Sequence, residues 1–259
     1  MAETRNAETR NALDGTTISY DISGTGPAVV LLHGSALSRA IWRGLGYVKA
    51  LDGFTVVRID LRGHGRSAKP RESAAYAMDL LVADVVAVLD AADLARAAVV
   101  GYSFGARVGF SLAATAPERV QKMVTLGGTF RPQSGQVAKV FFDGYLDALR
   151  TGGMQAFVDG QRLDPQTRAA FMANDPGALV AYFERTEAEP GLDESVLPEL
   201  DLPALLLAGT RDRERYLDSR RAAELMPDAR FVPLEGRTHG STLFPPDEVL
   251  AEMLPFLRS

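Results

Sequence analysis

The stretch that most constrains this chain is Gly101-Tyr102-Ser103-Phe104-Gly105, because of what stands on either side of it. Ahead runs Ala97-Ala98-Val99-Val100, an apolar segment that reads as a buried strand; behind, an apolar pattern through Val108 and Leu112 reads as a helix. A strand that passes into a helix over one serine needs a very tight turn. Side chains at positions 101 and 105 would collide with neighbouring backbone, so glycine suits both. The turn lifts the Ser103 hydroxyl clear of the sheet, at the positive end of a helix. The competing reading is a glycine turn with an incidental serine; the flanking strand and helix favour the functional one.

Strand-like and helix-like segments alternate along the chain. Strands are predicted at Thr16–Ile22, Ala28–Leu32, Phe54–Ile59, Ala97–Gly101, Lys122–Leu126, Ala204–Ala208 and Arg230–Pro233. Runs such as Ala204-Leu205-Leu206-Leu207-Ala208 suit parallel strands buried on both faces. Helices are predicted at Arg39–Leu51, Tyr76–Ala92, Phe104–Ala114, Ser219–Leu225 and Asp247–Leu257, the last after Pro245-Pro246. This alternation implies right-handed crossovers and an open, mostly parallel sheet. The stretch between Gly128 and Pro203 has no strand candidate and is too long for a structureless loop. It reads as short helices inserted over one edge of the sheet, with aromatic content suited to a lid, although most of those residues are expected to pack the insertion onto the main body. Near the N-terminus AETRN occurs twice over residues 2–11; five residues are too few for a solenoid unit, and the repeat reads as a frayed helical turn, a cloning remnant or a disordered tail.

Composition removes several classes of function. The chain has no cysteine, which excludes disulfides, thiolate metal sites and cysteine nucleophiles. It has three histidines, His33, His64 and His239, so an all-histidine metal site would need every one, and no metal is expected. A net charge of -5 argues against nucleic acid, whose phosphates demand clustered Lys and Arg. No apolar run approaches the roughly 20 residues of a membrane span, and no apolar signal core is visible. The expectation is a cytoplasmic protein, monomer or homodimer, with a small-molecule substrate as partner and no cofactor.

A serine hydroxyl is a weak nucleophile and needs a base within hydrogen-bond reach. His239 is the candidate, in the loop Leu234-Glu235-Gly236-Arg237-Thr238-His239-Gly240 after the last strand. The acid that orients the base is expected at the end of a strand between the two. Asp212 stands there, after Ala204–Ala208, with Glu214 as nearest competitor in a charged run. Donors for a tetrahedral oxyanion are expected from the backbone N–H of Phe104, next to the nucleophile, and of Ser35 in the loop His33-Gly34-Ser35-Ala36. His33 then holds the loop rather than acting as a second base.

These residues resemble the α/β-hydrolase superfamily from about Gly15 onward. The motifs that carry the resemblance are His33-Gly34-Ser35, Asp60-Leu61-Arg62-Gly63-His64-Gly65-Arg66-Ser67, the Ser103 pentapeptide, and Gly209-Thr210-Arg211-Asp212 with His239. The resemblance implies an α/β fold: a mostly parallel eight-stranded sheet with helices on both faces and a helical cap inserted after the sixth strand. The core is then 1–128 with 203–259, and the cap 129–202. Ala106 departs from the pattern, since many relatives have a further glycine there. Ser103 disfavours the branches with an aspartate nucleophile, the haloalkane dehalogenases and epoxide hydrolases. The activity expected is hydrolysis of a carboxylic ester or lactone of a small to medium, partly apolar molecule through an acyl-enzyme. Carbon–carbon hydrolysis of a β-diketone, thioester hydrolysis, perhydrolysis and biosynthetic cyclisation use the same constellation, and a cofactor-free oxygenase or a hydrolase-like receptor with little turnover uses the same fold. Trp42, Phe141, Phe142 and Tyr145 are the candidate pocket residues. Arg131, Arg150, Arg162 and Arg185 are expected to be mostly solvated, though such side chains could meet an acidic substrate.

Overall fold

The computed structural model describes residues 4–259. Eight strands, β1 (Arg5–Arg10), β2 (Thr17–Ser23), β3 (Ala28–Leu32), β4 (Thr55–Ile59), β5 (Ala97–Tyr102), β6 (Val120–Leu126), β7 (Ala204–Gly209) and β8 (Ala229–Leu234), form one sheet in the order β1-β2-β4-β3-β5-β6-β7-β8. The strands from β4 to β8 along that order run parallel; β1 and β2 are antiparallel to their neighbours. The helices are α1 (Ala40–Gly44), α2 (Tyr47–Ala50), α3 (Met78–Ala91), α4 (Phe104–Thr115), α5 (Val137–Val140), α6 (Tyr145–Asp159), α7 (Pro165–Met172), α8 (Pro176–Ala188), α9 (Arg213–Leu225) and α10 (Asp247–Arg258). Among the described residues no helix is long and apolar enough to cross a membrane.

Successive strand side chains point to opposite faces, so a fully apolar strand feeds two cores. Val30 and Leu32 of β3 join one cluster with α3, α4 and α9, through Val85, Val88, Val108, Leu112 and Ala222. Val29 and Leu31 join another with α1, α2 and α10, through Trp42, Tyr47, Val249 and Met253. The same split occurs in β7, with Leu206 on the first side and Leu205 and Leu207 on the second.

Three local differences from the sequence expectation have physical causes. Arg5–Arg10 is a strand paired antiparallel with β2, rather than a frayed turn or tail; the start of the first AETRN copy lies outside the described residues. Its side chains alternate between exposed and half-buried, so backbone pairing at a sheet edge holds it without an apolar run. The helix expected over Arg39–Leu51 is two short ones, because Gly46 adopts φ 86°, a left-handed conformation that interrupts the helical path between them. Helix α9 begins at Arg213, not Ser219, which places Asp212 at its N-terminal boundary.

Between β6 and β7 the chain forms α5 to α8 and a 3₁₀ turn over Glu194–Glu199, with no strand. The carboxylates of Asp164 and Asp175 accept backbone N–H groups at the starts of α7 and α8, each with proline in the first turn. An aromatic cluster fills this segment: Phe157 lies 5.8 Å from Phe171 and 6.0 Å from Phe183, ring centre to ring centre. The cluster is continuous with the α3/α4 side of the sheet core.

One buried ion pair ties the chain's start to the body. Arg62 donates from Nε and Nη2 to Asp84 at 2.6 and 2.7 Å, both side chains being fully buried, and Asn11 Nδ2 adds a bond to Asp84 at 2.6 Å. Removing one partner would leave a buried guanidinium with only the partly exposed Asp14 as counter-charge. Asp84→Ala is therefore expected to lower the unfolding free energy by about 3–5 kcal/mol in urea titrations.

Candidate active site

Ser103 joins β5 to α4 at φ 53° and ψ -112°, a conformation side chains avoid. The turn is possible because its flanks lack side chains. A Cβ at Gly101 would lie 2.4 Å from the Gly105 carbonyl oxygen, and one at Gly105 would lie 2.2 Å from that of Leu32. The hydroxyl that results faces the loop between β8 and α10. There, His239 Nε2 lies 2.8 Å from Ser103 Oγ, and its Nδ1 lies 2.6 Å from Asp212 Oδ2. The ring is held further by Tyr102, which stacks on it at 5.6 Å and whose hydroxyl donates to the His239 carbonyl at 3.0 Å. Asp212 and His239 are only about one-tenth exposed. Glu214 does not compete for the imidazole, since its carboxylate is engaged by Lys139 and Arg213 at the surface. The structure thus joins Ser103, His239 and Asp212 in one chain of hydrogen bonds.

Ser35 and Phe104, the residues expected to supply oxyanion donors, line the same cavity as Ser103. Phe104 is the first residue of α4, so its N–H has no carbonyl one turn back. Ser35 lies in the loop after β3, and its hydroxyl is paired with that of Tyr182 from α8 at 2.5 Å. Two histidines set this loop. His33 accepts the Leu61 N–H at Nε2 (3.0 Å) and donates from Nδ1 to the Gly34 carbonyl (2.8 Å). His64 accepts the Ala36 N–H at Nε2 (3.1 Å) and donates from Nδ1 to the Arg62 carbonyl (3.0 Å). Each ring needs one bare nitrogen, so both are neutral. Complete burial agrees: it lowers the His33 pKa and, with His33 nearby, takes that of His64 down to about 3.

The cavity is narrow: of about 360 Å³ between atoms, open solvent included, only about 20 Å³ is wide enough for the centre of a water molecule. Val137, Val140 and Phe141 from the inserted segment form an apolar wall, and Thr129, Gln133 and Thr186 a polar one. Of the four candidate pocket residues, Phe141 alone lines it. Trp42 is wholly buried on the other side of the sheet, edge-on to Tyr47 at 5.3 Å, because α1 turns its apolar side to that core. Phe142 packs against Phe157, and Tyr145 donates to Glu187 at 2.8 Å, so both serve the insertion's own packing. Arg131, Arg150 and Arg185 are engaged in ion pairs at or near the surface, and Arg162 is exposed. Two arginines outside those candidates, Arg107 and Arg215, line the cavity. Spacing held the clue: Arg107 is one helical turn after Ser103, and Arg215 three residues after Asp212. Among the described residues no cluster of three or more His, Asp or Glu side chains could hold a metal ion.

Comparison with known proteins agrees with this fold. Residues 27–162 match the family model described as alpha/beta hydrolase fold. The chain is 30% identical over 272 residues to the non-heme chloroperoxidase of Streptomyces lividans, covering 95% of this chain and 98% of that protein. It is 30% identical over 200 residues to bifunctional epoxide hydrolase 2 of Sus scrofa; the match takes in 71% of this chain and 36% of that protein, so the chain spans about a third of its length. The solved enol-lactonase of Burkholderia xenovorans LB400 superposes with a TM-score of 0.83 at 25% identity, covering 98% of this chain and 100% of that one.

The neutral histidine pair gives stability a defined pH dependence. Folded His64 stays unprotonated down to about pH 3, whereas an unfolded histidine takes up a proton near pH 6.5. Between those values the unfolded state binds the extra proton, so stability is complete above about pH 6.5 and falls as pH falls. Urea titrations from pH 6.5 to 4.5 are expected to show this loss, with His64→Gln shallower by up to about 1.4 kcal/mol per pH unit. An unchanged slope would mean that His64 is charged in the folded protein.

Proposed function

This chain belongs to the α/β-hydrolase family, and on that premise we propose that it is a serine hydrolase cleaving a carboxylic ester or lactone of a small to medium molecule through an acyl-enzyme. The observation that carries the reading is the unbroken contact from Ser103 Oγ through the His239 imidazole to Asp212. In the first half-reaction His239 Nε2 takes the Ser103 proton as Oγ attacks the substrate carbonyl carbon. Asp212 accepts the Nδ1–H, which holds the ring in the tautomer that leaves Nε2 free and stabilises the imidazolium that forms. The N–H groups of Phe104 and Ser35 receive the oxyanion. Collapse of the tetrahedral adduct expels the alcohol, which takes the proton from His239. Water activated by the same imidazole then releases the acid and restores Ser103.

Ser103 supports acyl transfer over ring opening by an aspartate nucleophile. A lactonase-like substrate agrees with the likeness to a solved enol-lactonase, and Val137, Val140 and Phe141 give the apolar part of a small substrate a wall. In this reading the segment between β6 and β7 acts as the cap that keeps bulk water from the acyl-enzyme.

The test is hydrolysis of short-chain 4-nitrophenyl esters and simple lactones by the protein and its variants. Ser103→Ala and His239→Ala are each expected to lower kcat by about 10⁴-fold or more. Asp212→Asn should cost less than either and more than Glu214→Gln, which leaves the hydrogen-bond chain intact. A Ser103→Ala variant within tenfold of the parent would end the proposal. Ligand binding without turnover in the parent would favour a receptor instead.

A further inference from the structure

Six arginines among the described residues are buried: Arg39, Arg58, Arg62, Arg107, Arg215 and Arg237. Four have a carboxylate against them. Arg39 and Arg58 share Asp21 at 3.1 and 2.7 Å, Arg62 meets Asp84 at 2.6 Å, and Arg237 meets Glu248 at 2.8 Å. Arg107 and Arg215 have none within 4.0 Å among the described residues. These two are also the ones that line the Ser103 cavity.

A guanidinium taken out of water is costly unless an anion or a full set of acceptors replaces the water. Arg107 donates to the carbonyls of Arg131 and Glu189, but its Nε is buried without a partner. Arg215 makes one hydrogen bond, from Nη2 to Gln133 Oε1 at 2.9 Å, and Gln133 itself lines the cavity. Carboxylates attract both only from a distance, Glu189 for Arg107 and Asp212, Asp218 and Glu214 for Arg215, and the charge on Arg215 works against that on Arg107. Burial pulls the pKa of both below the usual arginine value, Arg107 to about 10. A purely structural role for Arg107, clasping two loop carbonyls, explains neither its unpartnered Nε nor the placement of Arg215.

We propose that this cavity is a carboxylate subsite, in which Arg107 and Arg215 hold a free carboxylate carried by the ester or lactone that Ser103 cleaves. The scissile bond in this statement rests on the serine-hydrolase reading; the anion site rests on the arginines alone. Planar guanidinium groups match a carboxylate's two oxygens, and a three-atom carboxylate suits a small cavity better than a phosphate. An anion there gives both guanidinium groups the contact partner that no carboxylate of the fold supplies, and fixes how far the scissile carbonyl stands from Ser103.

The experiment compares half-esters with neutral diesters. By proton-release assay, methyl hydrogen glutarate and methyl hydrogen adipate are measured against their dimethyl esters, in the parent and in Arg107→Gln and Arg215→Gln. At least one half-ester is expected to exceed its diester at least tenfold in kcat/KM, and each substitution to lower that ratio at least tenfold. A parent ratio near one, or a ratio indifferent to both substitutions, overturns the subsite while leaving the hydrolase reading standing. Calorimetric titration of the unmodified protein needs neither turnover nor a variant. Glutarate is expected to bind at least tenfold more tightly than uncharged glutaramide; equal affinity overturns the proposal. Methyl phosphate binding more tightly than glutarate overturns it in favour of a phosphoryl group. Glutarate binding that weakens tenfold in Arg215→Gln, with no ester turned over, upholds the subsite and rejects the hydrolase reading.

Discussion

The parallel register from β3 through β8 is the constraint on which the site depends. It ends five strands at one rim, where loops carry Ser35, Ser103, Thr129, Asp212 and His239. The hydrogen-bond ladder continues past the strands and pins those loops in turn: Ser103 N–H donates to Leu126, Gly127 N–H to Leu207 and Thr210 N–H to Leu234, at 2.9, 2.8 and 3.0 Å. Open parallel sheets present their carboxyl ends to ligands for this reason: loops leave every strand on the same side. The strain at Ser103 is sustained by the same framework, because β5 is buried on both faces and α4 has no freedom to withdraw.

Around that rim the protein treats polar groups in two ways. Several that support the loops are fully paired: the neutral pair His33 and His64 each accept one backbone N–H and donate to one carbonyl, and Asp60 receives the N–H groups of Arg39 and Arg66. Two that line the cavity differ: Arg107 Nε has no partner, and Arg215 makes a single hydrogen bond. The paired groups keep the loop geometry rigid where it must not move.

Ala106 illustrates how a departure from the family pattern is absorbed. Its methyl group occupies space that a side chain on the loop after β6 would need, since a Cβ at Gly128 would lie 2.5 Å from it. One side chain is added on α4 and one is missing opposite, so α4 keeps its close packing on the sheet.

The amino-acid sequence by itself determined the central strands, the placing of a serine between a strand and a helix, and the order in which Ser103, Asp212 and His239 follow. These are legible because buried strands need unbroken apolar runs and a tight turn needs glycine, and both are properties of neighbouring residues. Tertiary structure alone decided the rest. Arg5–Arg10 became a strand through pairing with β2, Trp42 went to the far core while Phe141 reached the cavity, and the acid at 212 rather than 214 met the imidazole. It also left Arg107 and Arg215 unmatched, when four other buried arginines found carboxylates distant in the chain. Charge matching and cavity lining depend on which side chains meet across the fold, and a linear pattern carries no record of those meetings.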